Sequence, residues 1–107
     1  MPDVIMSLSS RSPFDGTASR CIDHYMAEHN ILDSQPIMIP AAAGQNAGDQ
    51  GLDLATGTDL TDQPTVVLCA TTSTRSIILK LSAPNLMMVT ANLHDFWRAA
   101  GTLTVGT

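Results

Sequence analysis

Charged side chains are scarce in this sequence, at 14% of 107 residues against about 25% in an ordinary soluble domain. The five bases are Arg11, Arg20, Arg75, Lys80 and Arg98, facing ten acids for a net charge of −5. No base occurs between Arg20 and Arg75. A nucleic-acid binder needs clustered cations to displace counterions from phosphate, so that class is excluded. Long apolar runs are missing too: Val66 to Ala70 and Leu86 to Val89 fall far short of the roughly 20 residues that cross a bilayer. No charged start followed by an apolar stretch opens the chain, so it reads as soluble, unexported by such a leader and without a membrane partner. With two cysteines, 48 positions apart, neither a disulfide-dense mini-protein nor a cysteine-rich zinc site is available.

The length fits one domain, since two independent cores need more chain. Apolar residues reach 44%, yet the aromatics are only Phe14, Tyr25, Phe96 and Trp97, while Ala and Thr occur twelve times each. A small domain buries only about 60% of its unfolded surface. A weakly charged exterior of Ala, Thr, Ser and Met is therefore expected to meet other protein.

Residues 1–16 read as an N-terminal arm, and 17–107 as a single small domain. In the arm, Pro2, the serine run and Ser12-Pro13 break helical periodicity, leaving Val4, Ile5, Met6 and Phe14 as the apolar contacts for a partner. A helix is expected from Ala18 to about His29, capped by Thr17 or Asp15 and stopped at Asn30, with Ile22, Tyr25, Met26 and His29 on one stripe. Ile37-Met38-Ile39, closed by Pro40, reads as a short strand. Residues 41–64 hold four of the seven glycines and the acids Asp49, Asp53, Asp59 and Asp62 with no base, and read as a long Asp/Gly loop. Within it Leu52-Asp53-Leu54 permits a short strand, followed by a turn at 55–58.

The last third is rich in β-branched residues. Thr65 to Thr71 reads as a buried strand, forming an antiparallel hairpin with Ser76 to Leu81. Pro84-Asn85 then turns the chain into a third strand, Leu86 to Thr90, making a meander. Asn92 is placed to cap a helix from Leu93 to Ala100, stopped by Gly101 in the left-handed region. Leu103-Thr104-Val105 closes as a strand. The fold class is mainly β (α+β): a small antiparallel meander or barrel-like domain with two short helices, a long loop and an extended arm.

Four clusters hold residue types capable of chemistry or binding. Cys21-x-x-His24 with His29, Asp23 and Glu28 resembles a zinc set, but His29 lies about 140° round the helix from His24. Cys21 or Cys69 as nucleophile with His24, His29 or His94 as base lacks any small-residue elbow to expose a thiolate. Gly48-Asp49-Gln50-Gly51-Leu52-Asp53 has carboxylates for a hard cation but not the EF-hand spacing. His94-Asp95-Phe96-Trp97-Arg98 combines aromatics with a base, as interface hot spots do, or anchors its helix on the core. No metal, no cofactor and no catalytic group is expected.

With its arm, the Pro-flanked Gln35-Pro36-Ile37-Met38-Ile39-Pro40, an Ala/Gly/Thr-rich middle and a closing Ala100-Gly101-Thr102-Leu103-Thr104-Val105, the chain resembles the small head-decoration (cement) proteins of tailed bacteriophages. The resemblance implies a mostly β protein of the virion that trimerises on a capsid lattice, binds the major capsid protein or other virion proteins, and orders its arm by strand pairing. Residues 2–14 would touch the shell. Met87, Met88, Phe96, Trp97 and Arg98 would serve the oligomer interface or the core. The Cys/His-bearing helix and the acidic stretch depart from that layout, leaving head-tail joining or tail-surface roles open. The expectation is a non-enzymatic structural protein that docks onto a larger assembly. The alternatives are an acidic regulatory or inhibitor module acting through Asp49 to Asp62, and an enzyme or metal protein using Cys21, His24 and His94.

Overall fold

The computed structural model describes residues 4–11, 17–31, 34–60, 63–72 and 76–101. Its elements run β1 (Ile5–Arg11), α1 (Ala18–Glu28), α2 (Ala41–Asp49), β2 (Asp53–Asp59), β3 (Thr65–Thr71), β4 (Ser76–Ser82) and α3 (Leu86–Gly101). The protein is α+β, with one antiparallel sheet in the order β1-β4-β3-β2. Among the described residues it carries three helices, α1 over one face and α2 with α3 over the other.

β3 lies inside the sheet and is buried along its whole length. Its alternation splits two cores. Val66, Leu68 and Ala70 face Val89, Phe96 and Ala100 of α3 and Ala43 and Ala47 of α2, while Val67 and Cys69 face Cys21, Ile22, Tyr25 and Met26 of α1. A strand buried on both faces needs an almost continuous apolar run, which Thr65 to Thr71 supplies. The β3–β4 hairpin forms in the expected place, pairing Leu68 with Leu79 and Cys69 with Ile78.

α1 begins at the expected cap: Thr17 Oγ1 accepts from the Arg20 N–H at 3.3 Å. A second acceptor comes from 35 residues away, where Asp53 Oδ2 takes the Ala18 N–H at 2.9 Å, putting a carboxylate at the positive end of the helix. The helix ends in a Schellman turn at Asn30 (φ 58°), with Ile31 N–H on Met26 C=O and Asn30 N–H on Ala27 C=O. α2 ends the same way at Gly51 (φ 70°), where the Leu52 N–H reaches Ala47 C=O at 2.8 Å. Gly57 has a steric role, since a Cβ there would stand 2.7 Å from both Met26 Cε and Ser34 Oγ.

Several sequence expectations need correction. Residues 41–64 are not a loop: they hold α2 and all of β2, because alanines are strong helix formers and Ala43 and Ala47, one turn apart, pack on the core. The turn placed at 55–58 is the middle of β2. Leu86 to Thr90 is not a strand but the first turns of α3, started by Asn85, whose Oδ1 accepts the Met88 N–H at 2.9 Å. Gly101 closes α3 without a positive φ. Residues 37–39 form no strand. The strand read at 103–105 lies outside the described residues.

Candidate functional site

An antiparallel sheet that is not closed into a barrel has two edges, each a row of main-chain donors and acceptors, and the handling of those rows shows where another chain can bind. The β2 edge is partly occupied. Residues 34–40 run beside it as a strap held by side chains rather than by a backbone ladder. Thr56 Oγ1 accepts the Ile37 N–H and donates to the Ile37 C=O, both at 2.9 Å. Thr58 Oγ1 does the same for Gln35 at 3.1 and 3.2 Å, and the Thr58 N–H donates to Ser34 Oγ at 3.2 Å. Spaced off by those side chains, the strap leaves a cleft of about 730 Å³ between itself and α1, lined by Ile22, Asp23, Met26, Ile37, Ile39 and Leu54 among others.

Among the described residues nothing pairs with the outer edge of β1. In an antiparallel pair, N–H and C=O of alternate residues point toward and away from the partner. The register with β4 pairs Ile5 with Ser82, Ser7 with Lys80 and Ser9 with Ile78. Since Leu79 and Leu81 oppose Leu68 and Val66 across β3, Met6 and Leu8 share the α2/α3 side with them, and Ile5, Ser7 and Ser9 the α1 side. Ile5 is 56% exposed, Met6 39% and Leu8 61%. The strand therefore shows apolar side chains on both faces, and it packs chiefly on β4.

The residues singled out from sequence fall in different places. Ile5 and Met6 lie on the open edge, and Val4 is partly buried against the α2/α3 core. Thus part of the expected arm, Ile5–Arg11, is a strand of the chain's own sheet; Phe14 lies outside the described residues. Of the two places offered for Phe96, it takes the core: it is fully buried, with the Trp97 ring in a T-shaped contact at a centroid separation of 5.2 Å. Met88 and Trp97 pack on the same core, whereas Met87 and Arg98 are exposed on α3.

Cys21 and Cys69 are joined in a disulfide, so neither sulfur is a thiol or a free metal ligand here. His24 Nδ1 pairs with Glu28 Oε1 at 3.3 Å on the surface. His29 is the exposed C-cap of α1; its ring stacks on Tyr25 and its Nδ1 lies 2.9 Å from the Tyr25 carbonyl oxygen. His94 is exposed on α3. The acidic stretch is broken up, with Asp49 ending α2, Asp53 capping α1 and Asp59 ending β2, while Asp62 lies outside the described residues. No group of three or more His, Cys, Asp or Glu converges among the described residues, and no helix among them is long and apolar enough to cross a membrane.

Sequence reasoning missed Leu8, Thr56 and Thr58. Their signal was alternation: Met6-Ser7-Leu8-Ser9 and Thr56-Gly57-Thr58 both have the period of two that places one set of side chains on one face. No protein-family model, no curated protein and no solved structure matches this chain.

Proposed function

We propose that this chain is a non-enzymatic structural protein that docks through the open edge of β1 onto a larger assembly, of the kind formed by head-decoration or other accessory proteins of a virion. The observation that carries this reading is the edge itself. Folded proteins blunt their sheet edges with charge, proline or a covering segment, and exposed flat apolar edges draw other chains. Ile5 to Arg11 has no acid, no proline and one base, and it leaves Ile5, Met6 and Leu8 exposed. Strand addition at such an edge takes its affinity from main-chain hydrogen bonds and its specificity from alternate side chains.

The buried disulfide supports a setting outside a reducing cytosol, since such bonds persist in secreted proteins and on virion surfaces. A homo-oligomer, a trimer in the simplest virion arrangement, and virion protein partners belong to this reading. The test is light scattering on a sizing column for the chain and for Leu8→Pro. By the β4 register, the Leu8 N–H points away from β4, so proline removes a docking donor and leaves the ladder intact. Association of the parent chain that Leu8→Pro abolishes is the expected result. A single-chain mass for both would remove the reading.

A further inference from the structure

The two edges of the sheet differ in a way that lets one fit the other. Among the described residues β1 is a bare strand, with Ile5 exposed on one face and Met6 and Leu8 on the other. The β2 edge is walled, with α1 over one face and the 34–40 strap beside the other. Thr58 donates outward to Ser34, so Thr56 and Leu54, two and four residues back along the strand, also turn their main-chain N–H and C=O outward. Among the described residues these groups of Leu54 and Thr56 have no hydrogen-bond partner. Both residues line the cleft.

We infer that the β2 cleft is the acceptor for β1 of a second copy of this chain; the inference rests on the docking reading above and names its partner. Strand direction allows it without adjustment. Three successive antiparallel pairings separate β1 from β2, so the two strands run antiparallel within one copy. A second copy set beside the first in the same orientation therefore presents its β1 antiparallel to β2, and the sheet continues.

Side-chain placement follows from pairing, because directly opposed residues of an antiparallel pair share a face. Leu54 and Thr56 lie on the α2/α3 side, so the incoming Met6 and Leu8 meet that side, toward Ile37 and Ile39 of the strap. Ile5, Ser7 and Ser9 turn toward Ile22 and Met26 of α1. Charge agrees with this fit. Residues 4–11 carry one base and no acid in a chain with ten acids, whereas among the described residues the cleft lining carries Asp23 and no base, and Asp53 begins the acceptor strand. Pairing of β1 with another β1 would instead leave the apolar faces of both uncovered, since neither brings a wall. The contact is heterologous, and repeats close into a ring or run on as a filament.

The experiment uses two variants of the full chain and their mixture. Leu8→Pro spoils the donor and keeps the cleft. Ser19→Trp with Asp23→Arg fills and reverses the cleft through two exposed lining side chains and keeps β1. Circular dichroism and a thermal melt check each fold, with Leu8→Lys and Ala27→Trp as replacements where one is damaged. The parent chain is expected to exceed the mass of two chains as concentration rises. Each variant alone loses all mass above one chain, and an equimolar mixture forms a complex of two and stops there. Association of the cleft variant by itself would overturn the inference while leaving docking through β1 standing. A parent chain that associates while the mixture stays monomeric would overturn it equally. A parent chain that stays monomeric would remove both readings.

Discussion

The Cα atoms of Cys21 and Cys69 lie 6.2 Å apart, and the disulfide between them fixes α1 to the central strand where both side chains are buried. The bond closes a long loop, with 48 positions between its ends, so its main effect is to restrict the unfolded chain. By loop-closure arithmetic it contributes about 4 kcal/mol. Cys21→Ala with Cys69→Ala is expected to lower the urea-unfolding free energy by about that amount. A loss below about 1 kcal/mol would mean that packing alone holds α1.

At Gly57 α1 lies close against the sheet. A side chain there runs into Met26, Ser34 and Ile22 Cγ2, the last at 3.0 Å. Overpacking of this kind costs about 1 to 3 kcal/mol, so Gly57→Val is expected at the upper end, read as a drop in melting temperature. Gly44→Ala, at an open position, is the control and should raise helix stability slightly.

The strap depends on hydroxyls. Thr56→Val keeps the shape of the side chain but strips two hydrogen bonds from Ile37. A loss of about 2 kcal/mol is expected, at roughly 1 kcal/mol per bond. Faster amide exchange at Ile37 would accompany it. Unchanged exchange there would mean that packing, not the hydroxyl, holds the strap.

Much of this was legible in the sequence. Ile22, Tyr25 and Met26 of the α1 stripe, the Thr17 cap, the Asn30 stop and the β3–β4 hairpin are legible because each is a local signal of period or cap, whereas His29, placed on the same stripe, is the exposed C-cap. The failures share a cause. Ala43 and Ala47 of α2 are small, so a helix packed through them looks like a linker, and its glycines hide the one-turn spacing. Leu86 to Val89 has the apolar density of a strand, although Val89, Leu93, Phe96 and Ala100 carry one helical stripe back to the Asn85 cap. The disulfide had no local signal, since cysteine pairing depends on α1 crossing β3. The β1 edge is half legible: Ile5 and Met6 stand out as apolar residues of the expected arm, but Leu8 is lost in a serine-rich run.

Thr71 and Ser76 face each other across the hairpin, buried, and among the described residues neither hydroxyl has a partner. An unsatisfied buried hydroxyl costs about 1 to 3 kcal/mol, whereas an apolar group of the same shape is near neutral or stabilising. Thr71→Val with Ser76→Ala is therefore expected to raise stability by about 1 kcal/mol in urea unfolding. A loss of similar size would show that the hydroxyls do find partners.

Docking through β1 is tested most directly by amide hydrogen exchange, resolved by residue, at concentrations from about 10 μM to about 1 mM, a range that reaches weak pairing. The Ser7 and Ser9 amides point into the β4 ladder and are expected to be slow throughout, whereas those of Met6 and Leu8 point outward and should be fast when dilute. Slowing of Met6 and Leu8, with Ser7 and Ser9 unchanged, in step with a rise in solution mass, is the expected result. Free exchange of both amides in the associated protein would contradict docking through this edge.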